Sequence, residues 1–246
     1  MRRWLQKLGL LKYNYNNKLI PAGAGIILVL LSIAGWTLLL NLDIGNYSII
    51  KSLIFLSIII GLTGLIDDMA GDKKVQGLKG HFIYFLQGHL STGSFKVIIV
   101  FISVLLVVLR ESSGYEILLD LSLILLMTNM FNLFDLRPGR VIKLFLITSI
   151  FLFYIFDIFI YFIFIYIFLI PYLFLELKEK IMMGDAGSNF LGVITGYGFT
   201  KWNWIQGKIY LTGLLLVLTL LSERYSFSSY IKNNCILNWL DKLGRK

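Results

Sequence analysis

From Pro21 to Asn41 the chain carries no charge, and from Ile49 to Ile66 it carries one, Lys51. Runs of this length and polarity constrain the fold more than any other feature: they are long enough to cross a bilayer as helices. Similar runs recur at about 95–109, 117–134, 141–157, 158–176, 188–200 and 208–222. Over 246 residues, 57% are hydrophobic and 15% charged, against about 25% charged in soluble domains. A soluble fold of this size lacks the residues for a polar shell. The expected fold class is therefore all-α, a polytopic integral membrane helical bundle of about eight transmembrane helices. It forms one domain over residues 1–246, with a basic segment at 1–19 and an interfacial segment at 223–246. The spans at 95–109, 188–200 and 208–222 are short for a bilayer. The unbroken run 141–176 is divided at Asp157, since a charge costs less at the interface than mid-bilayer.

Placing the N-terminus inside assigns all but four of the 23 Lys and Arg residues to inner loops, the exceptions being Lys51, Arg110, Lys201 and Lys208. Cytoplasmic loops carry such an excess, so both termini are expected in the cytoplasm of a cell-membrane protein. The same rule accounts for the net charge of +9 without nucleic acid as a partner. A single cysteine excludes an internal disulfide and a cysteine metal cluster, and two histidines exclude an all-histidine one. The basic N-terminus has no apolar core or cleavage site of a secretory signal.

Three polar clusters fall at the inner ends of these spans. Asp67 and Asp68 close the second. They read either as a solvated helix end or as a site, where their repulsion would fall around a divalent cation or a cationic group. Acids at a helix C-terminus oppose its dipole, so capping alone is a poor reason for them. Asn129, Asn132 and Asp135 stand at i, i+3 and i+6, one polar stripe of a helix. The asparagines can serve as interhelical glue, but Asp135 with Arg137 and Arg140 favours an anion or metal site. In MGDAGSN (183–189), Asp185 or Ser188 can cap the next helix, and the small residues let a ligand approach backbone amides. Lys79, between glycines in GLKGH, suits an ammonium–phosphate contact. Lys73 and Lys74 read as loop decoration, and His81 and His89 as hydrogen-bonded structure.

In this order the residues resemble the polyprenyl-phosphate N-acetylhexosamine-1-phosphate transferase superfamily, which contains the phospho-MurNAc-pentapeptide translocase and undecaprenyl-phosphate GlcNAc-1-phosphate transferases. The resemblance runs through IPAGAG (20–25), Asp67-Asp68, the Asn129–Asn132–Asp135 set and MGDAGS (183–188), over about residues 20–225. It implies Mg²⁺-dependent transfer of a sugar-1-phosphate from a UDP-sugar to a polyprenyl phosphate such as undecaprenyl phosphate. UMP is released and the product feeds cell-envelope glycans. Carried over by motif, Asp185 is implied as a Mg²⁺ ligand. Asp67 and Asp68 are implied as the pair handling the lipid phosphate, with Asp67 also toward the metal. Asn129, Asn132 and Asp135 are implied to line the nucleotide-sugar site, and Lys79 to hold a phosphate. A homodimer is compatible with the sequence.

The chain departs from the family in three ways. It has about eight spans where typical members have about ten. DLRPG (135–139) stands for the family's D-G-x-D-G, so Leu136 replaces a glycine and Pro138 the second acid, and Arg137 and Arg140 become candidate phosphate contacts. SERYSFSSY stands where characterised members have a histidine-rich loop. These changes motivate an alternative: a non-catalytic relative that binds the lipid carrier and acts as an envelope-assembly scaffold. An ion-coupled transporter fits less well, because transport sites sit near mid-bilayer and these acids sit at one face.

Overall fold

In the computed structural model, residues 10–13, 19–70, 92–155 and 159–244 are described. Lys73, Lys74, Lys79, His81, His89 and the division at Asp157 lie outside them. Ten helices account for most of the described chain: α1 (Gly25–Asn41), α2 (Tyr47–Ala70), α3 (Thr92–Glu111), α4 (Glu116–Phe134), α5 (Arg140–Ile155), α6 (Phe159–Leu177), α7 (Gly184–Thr200), α8 (Ile205–Ser222), α9 (Phe227–Asn233) and α10 (Cys235–Lys242). A helix thus lies on each of the eight apolar runs. Four of them are long and apolar enough to cross a membrane: α2 over Tyr47–Met69, α4, α6 and α8; α1 is apolar but shorter. The exception to an all-helical chain is a small antiparallel hairpin before α1. It joins β1 (Leu11–Tyr13) to β2 (Leu19–Pro21), with Leu11 opposite Pro21.

α7 is the centre of the bundle. From Ala186 to Thr200 every residue is buried, and α1, α2, α4 and α5 all pack against it. Lipid tails are as apolar as leucine, so such packing depends on close van der Waals contact through small residues. α7 supplies them. A Cβ on Gly192 would stand 2.7 Å from the Thr128 Cα, and one on Gly196 2.8 Å from the Ile124 Cα, so α4 and α7 touch backbone to backbone. On its other sides α7 meets glycines of its partners. A Cβ on Gly25 of α1 would lie 2.4 Å from the Gly187 Cα, and one on Gly64 of α2 2.5 Å from the Ala186 Cα.

Backbone hydrogen bonds fix this junction in register. The Met182 N–H donates to Pro21 O (2.7 Å), the Ala24 N–H to Met182 O (3.2 Å) and the Gly25 N–H to Met183 O (3.0 Å). The IPAGAG stretch is therefore laid along the segment that opens α7. At the opposite end of the bundle, Trp36 Nε1 donates to Tyr161 O (2.7 Å) and the Asn46 N–H to the Tyr161 hydroxyl (2.7 Å), tying α1 and its following turn to α6. Large apolar residues such as Leu30, Leu62, Leu106, Ile147, Phe174 and Leu220 remain exposed, as expected of a surface solvated by lipid.

Candidate active site

The first turn of an α-helix leaves backbone N–H groups without helical partners. At α7 an acid from another element takes up two of them. The Asp68 carboxylate, buried at the end of α2, accepts from the Asp185 N–H and the Ala186 N–H, each at 3.2 Å. Asp135, the residue that follows α4, lies close to the Gly184 backbone. Gly184 adopts φ +70°, and a Cβ there would lie 2.6 Å from Asp68 Oδ2 and from the Gly23 N. Only glycine fits this left-handed position against a carboxylate. Acids at a helix N-terminus are also favoured by its dipole.

Asp67, one residue earlier on α2, pairs with the Lys96 ammonium of α3 at 2.9 Å. The same ammonium bridges to Asp185 Oδ2 on α7. Carboxylates from two helices thus converge on one cation. Lys96 is the residue of this candidate site that the sequence alone assigns to an inner loop. The available signal was its solitude: it is the one charge between Phe95 and Leu109, and an ionisable residue within a span needs a partner.

The rest of the polar stripe divides among neighbours. Asn132 accepts from the Ser188 hydroxyl (3.4 Å), which also donates to Gly184 O (3.0 Å). Asn129 donates to Thr219 of α8 at 3.4 Å. Asp135 is held well above the usual carboxylate range, first by removal from water and then by the charges of Glu176, Asp185 and Asp68, against the opposing Gly184 backbone. Among the described residues, the buried polar atoms Tyr172 Oη, Glu176 Oε2 and Asn189 Nδ2 have no hydrogen-bond partner. They come from α6 and α7, the helices that meet at this end through the 178–183 turn.

The two arginines of the RPGR corner turn toward the C-terminus. Arg140, buried, makes a two-point pair with Asp241 (Nε–Oδ1 2.8 Å, Nη2–Oδ2 3.1 Å) and donates to Ser228 Oγ at 3.0 Å. Arg137 Nη1 lies 3.7 Å from Asp241 Oδ2, with 27% of its side chain exposed.

A carboxylate pair aimed at one cation position tests whether Mg²⁺ suits these residues. The ammonium stands where a hard cation with oxygen donors would sit. Among the described residues no group of three or more His, Cys, Asp or Glu is arranged to hold a metal. A Mg²⁺ ion here would accordingly take two protein carboxylates, Asp67 and Asp185, and complete its shell with water and phosphate oxygens, its usual habit.

The model of glycosyl transferase family 4 matches residues 50–203, which contain Asp67, Asp68, Lys96, the Asn129–Asp135 stripe and Asp185. IPAGAG lies before the matched region and is joined to it by the hydrogen bonds at Met182 and Met183. No curated relative and no solved structure matches the chain. With most of its length inside the family match, the chain belongs to glycosyl transferase family 4, a family of polyprenyl-phosphate sugar-phosphate transferases.

Proposed function

We propose that the protein transfers a sugar-1-phosphate, of the phospho-N-acetylhexosamine type, from a UDP-sugar to a polyprenyl phosphate such as undecaprenyl phosphate. A lipid-phosphate oxygen forms a bond to the β-phosphorus, the bond from that phosphorus to the bridging oxygen breaks, and UMP leaves with the oxygen. The observation that carries this reading is the convergence of Asp67 and Asp185 on one cation at the start of α7, within a family 4 chain. When bound, Mg²⁺ would neutralise the phosphate oxygens of two anions that must approach each other. Asp68 holds the α7 terminus, and with it Asp185, in place, with Asp135 close by. Asn129 and Asn132 line the nucleotide-sugar side. Arg137, with Lys79 beyond the described residues, contacts phosphate, while Arg140 anchors the corner through Asp241. The proposed setting is the cytoplasmic membrane, with the acids on its cytoplasmic face and the product directed to envelope glycans.

The test is a screen of UDP-sugars with undecaprenyl phosphate and purified protein. Mg²⁺-dependent UMP release with at least one donor is expected, and lipid binding without turnover for any donor would overturn the reading. One observation favours the scaffold alternative: Lys96 already supplies a positive charge where the metal would sit. The two separate on Asp185→Asn, which should abolish an enzyme's cellular function and leave a scaffold's intact.

A further inference from the structure

The four basic residues outside the inward charge excess are not alike. Lys201 pairs with Glu111, whose carboxylate also accepts from the Tyr197 hydroxyl (2.8 Å) and from Ser52. Lys208, buried, pairs with Asp120 at 3.0 Å and Glu116 at 3.5 Å. Both are neutralised inside the bundle. Lys51 has no acid within ion-pair distance among the described residues, only the Tyr47 ring 4.0 Å away. Arg110 has neither a hydrogen bond nor an ion pair among them. Lys51 opens α2 and Arg110 closes α3, so both lie at the end of the bundle opposite Asp67 and Lys96.

These two unpaired cations line the same groove. It encloses about 530 Å³ between α1, α2 and α3, and its walls include Ile54, Phe55, Ile58 and Leu106. That volume suits a bound small molecule. Phe55, Ile58 and Leu106 are exposed, so the groove opens sideways to the acyl region. An aqueous anion would meet an apolar wall here, and a zwitterionic lipid would bring its own ammonium up to the two cations. Charge complementarity at the mouth and hydrocarbon below it select an amphiphile with an anionic head.

We propose that this groove is a binding site for one anionic glycerophospholipid, its phosphate held by Lys51 and Arg110 and a chain lying along Ile54, Ile58 and Leu106, separate from the acidic site. The proposal stands independently of the reaction assigned above.

Native mass spectrometry of the full chain, released from micelles holding equal phosphatidylglycerol and phosphatidylcholine with matched chains, tests it. Wild type should retain one phosphatidylglycerol at least about fivefold over phosphatidylcholine, a difference near 1 kcal/mol. The Lys51→Gln/Arg110→Gln variant should lose that preference. Leu106→Trp, which keeps both charges and fills the groove, should lose the bound lipid. Excess glycerol phosphate should not displace it. Equal retention of the two lipids, full retention by the double variant, retention by Leu106→Trp, or displacement by glycerol phosphate would each overturn the proposal. Should the double variant fail to fold, the Leu106→Trp and competition measurements decide.

Discussion

The carboxylate of Asp68 accepts from two backbone amides of α7, while that of Asp67 faces the Lys96 ammonium. Neighbours in sequence thus respond to different tests. Asp68→Ala leaves two buried N–H groups unpaired, a cost of about 1–3 kcal/mol, and at roughly 2–4 °C per kcal/mol its melting temperature in detergent should fall several degrees. Asp67→Ala removes one carboxylate from Lys96 and leaves Lys96 paired with Asp185. It should melt near wild type yet bind Mn²⁺ about tenfold more weakly by titration with paramagnetic resonance detection, or 1.4 kcal/mol. Equal melting of the two variants would refute this division. Lys96→Met leaves Asp67 and Asp185 facing each other without a cation. Its melting temperature should therefore rise with added Mg²⁺ far more than wild type's, since a ligand specific to the folded state stabilises it by mass action. Asp135 gives a pH signature. The folded protein keeps its proton above the ordinary value of 3.8, where the unfolded chain has released it. Folded protein then binds more protons, so stability falls as pH rises from that value toward the raised one. With chelator present, wild type and Asp135→Asn should melt together near pH 4 and diverge by pH 8, the variant the more stable; parallel curves would exclude the effect. Asp67, Asp68, Asp135 and Asp185 stood out in the sequence because acids beside apolar runs are costly unless a partner meets them. Their partition between helix capping and cation binding was not legible there, because it depends on which way α2 delivers two adjacent side chains. Lys96 escaped for a related reason: its acids lie 29 and 89 positions away.

At the scale of elements, apolar runs placed eight helices correctly in order. They did so because a bilayer-length run has few alternatives, while helix ends depend on local hydrogen bonding. α2 illustrates the limit: the apolar pattern stops at Ile66, but the helix continues to Ala70 and carries both aspartates within it rather than beyond it. The hairpin β1–β2 was not anticipated, since three-residue strands leave almost no periodic signal. What hydropathy could not show was which helix is central. α7 is the shortest and least greasy of the expected spans, and its glycines make it the hub. This assigns a sharp mutational contrast. Gly25→Ala and Gly64→Ala would drive a methyl to within 2.4–2.5 Å of α7 backbone, where neither side can yield by a rotamer change. Overpacking of this kind costs about 1–3 kcal/mol or more. Gly213→Ala on α8 meets open space and should melt at or slightly above wild type, since alanine is the better helix former. Melting curves of the three alanine variants in one detergent check the ranking. A destabilised Gly213→Ala alongside a normal Gly25→Ala would contradict the close α1–α7 junction.

Across the whole molecule, the described segments before α1 and after α8 are brought to the same end of the bundle. The segment before α1 pairs with the strand-like entry to α7 at Met182 and Met183, and the last helix, α10, is drawn onto the corner between α4 and α5. Arg140 is the tie: it joins Asp241 through two hydrogen bonds and Ser228 through a third, while the Lys143 ammonium donates to Leu240 O (2.8 Å) and Asp241 O (3.1 Å). α9 contributes no fully buried residue and α10 only Asp241; beside the pair, the half-buried Phe227 packs on Phe134. Removing one member of a buried pair costs about 3–5 kcal/mol, chiefly because the other charge is left stranded, whereas replacing both can be neutral. Arg140→Met should therefore release α9–α10 without unfolding the bundle. Trypsin should cut rapidly at Arg224 and Lys232 while the fragment ending at Arg224 stays intact by mass. Arg140→Met/Asp241→Leu removes the buried carboxylate that Arg137 alone would face and should recover much of the lost protection, a coupling that a double-mutant cycle measures directly. Because Arg137 and Asp135 lie on the same corner, UMP release should follow the order of protection: wild type, double variant, single variant. If the single and double variants are cut equally fast, the Arg140–Asp241 pair does not set the position of the C-terminal helices, and the corner owes its shape to Gly139, at φ +75° against Leu177, alone.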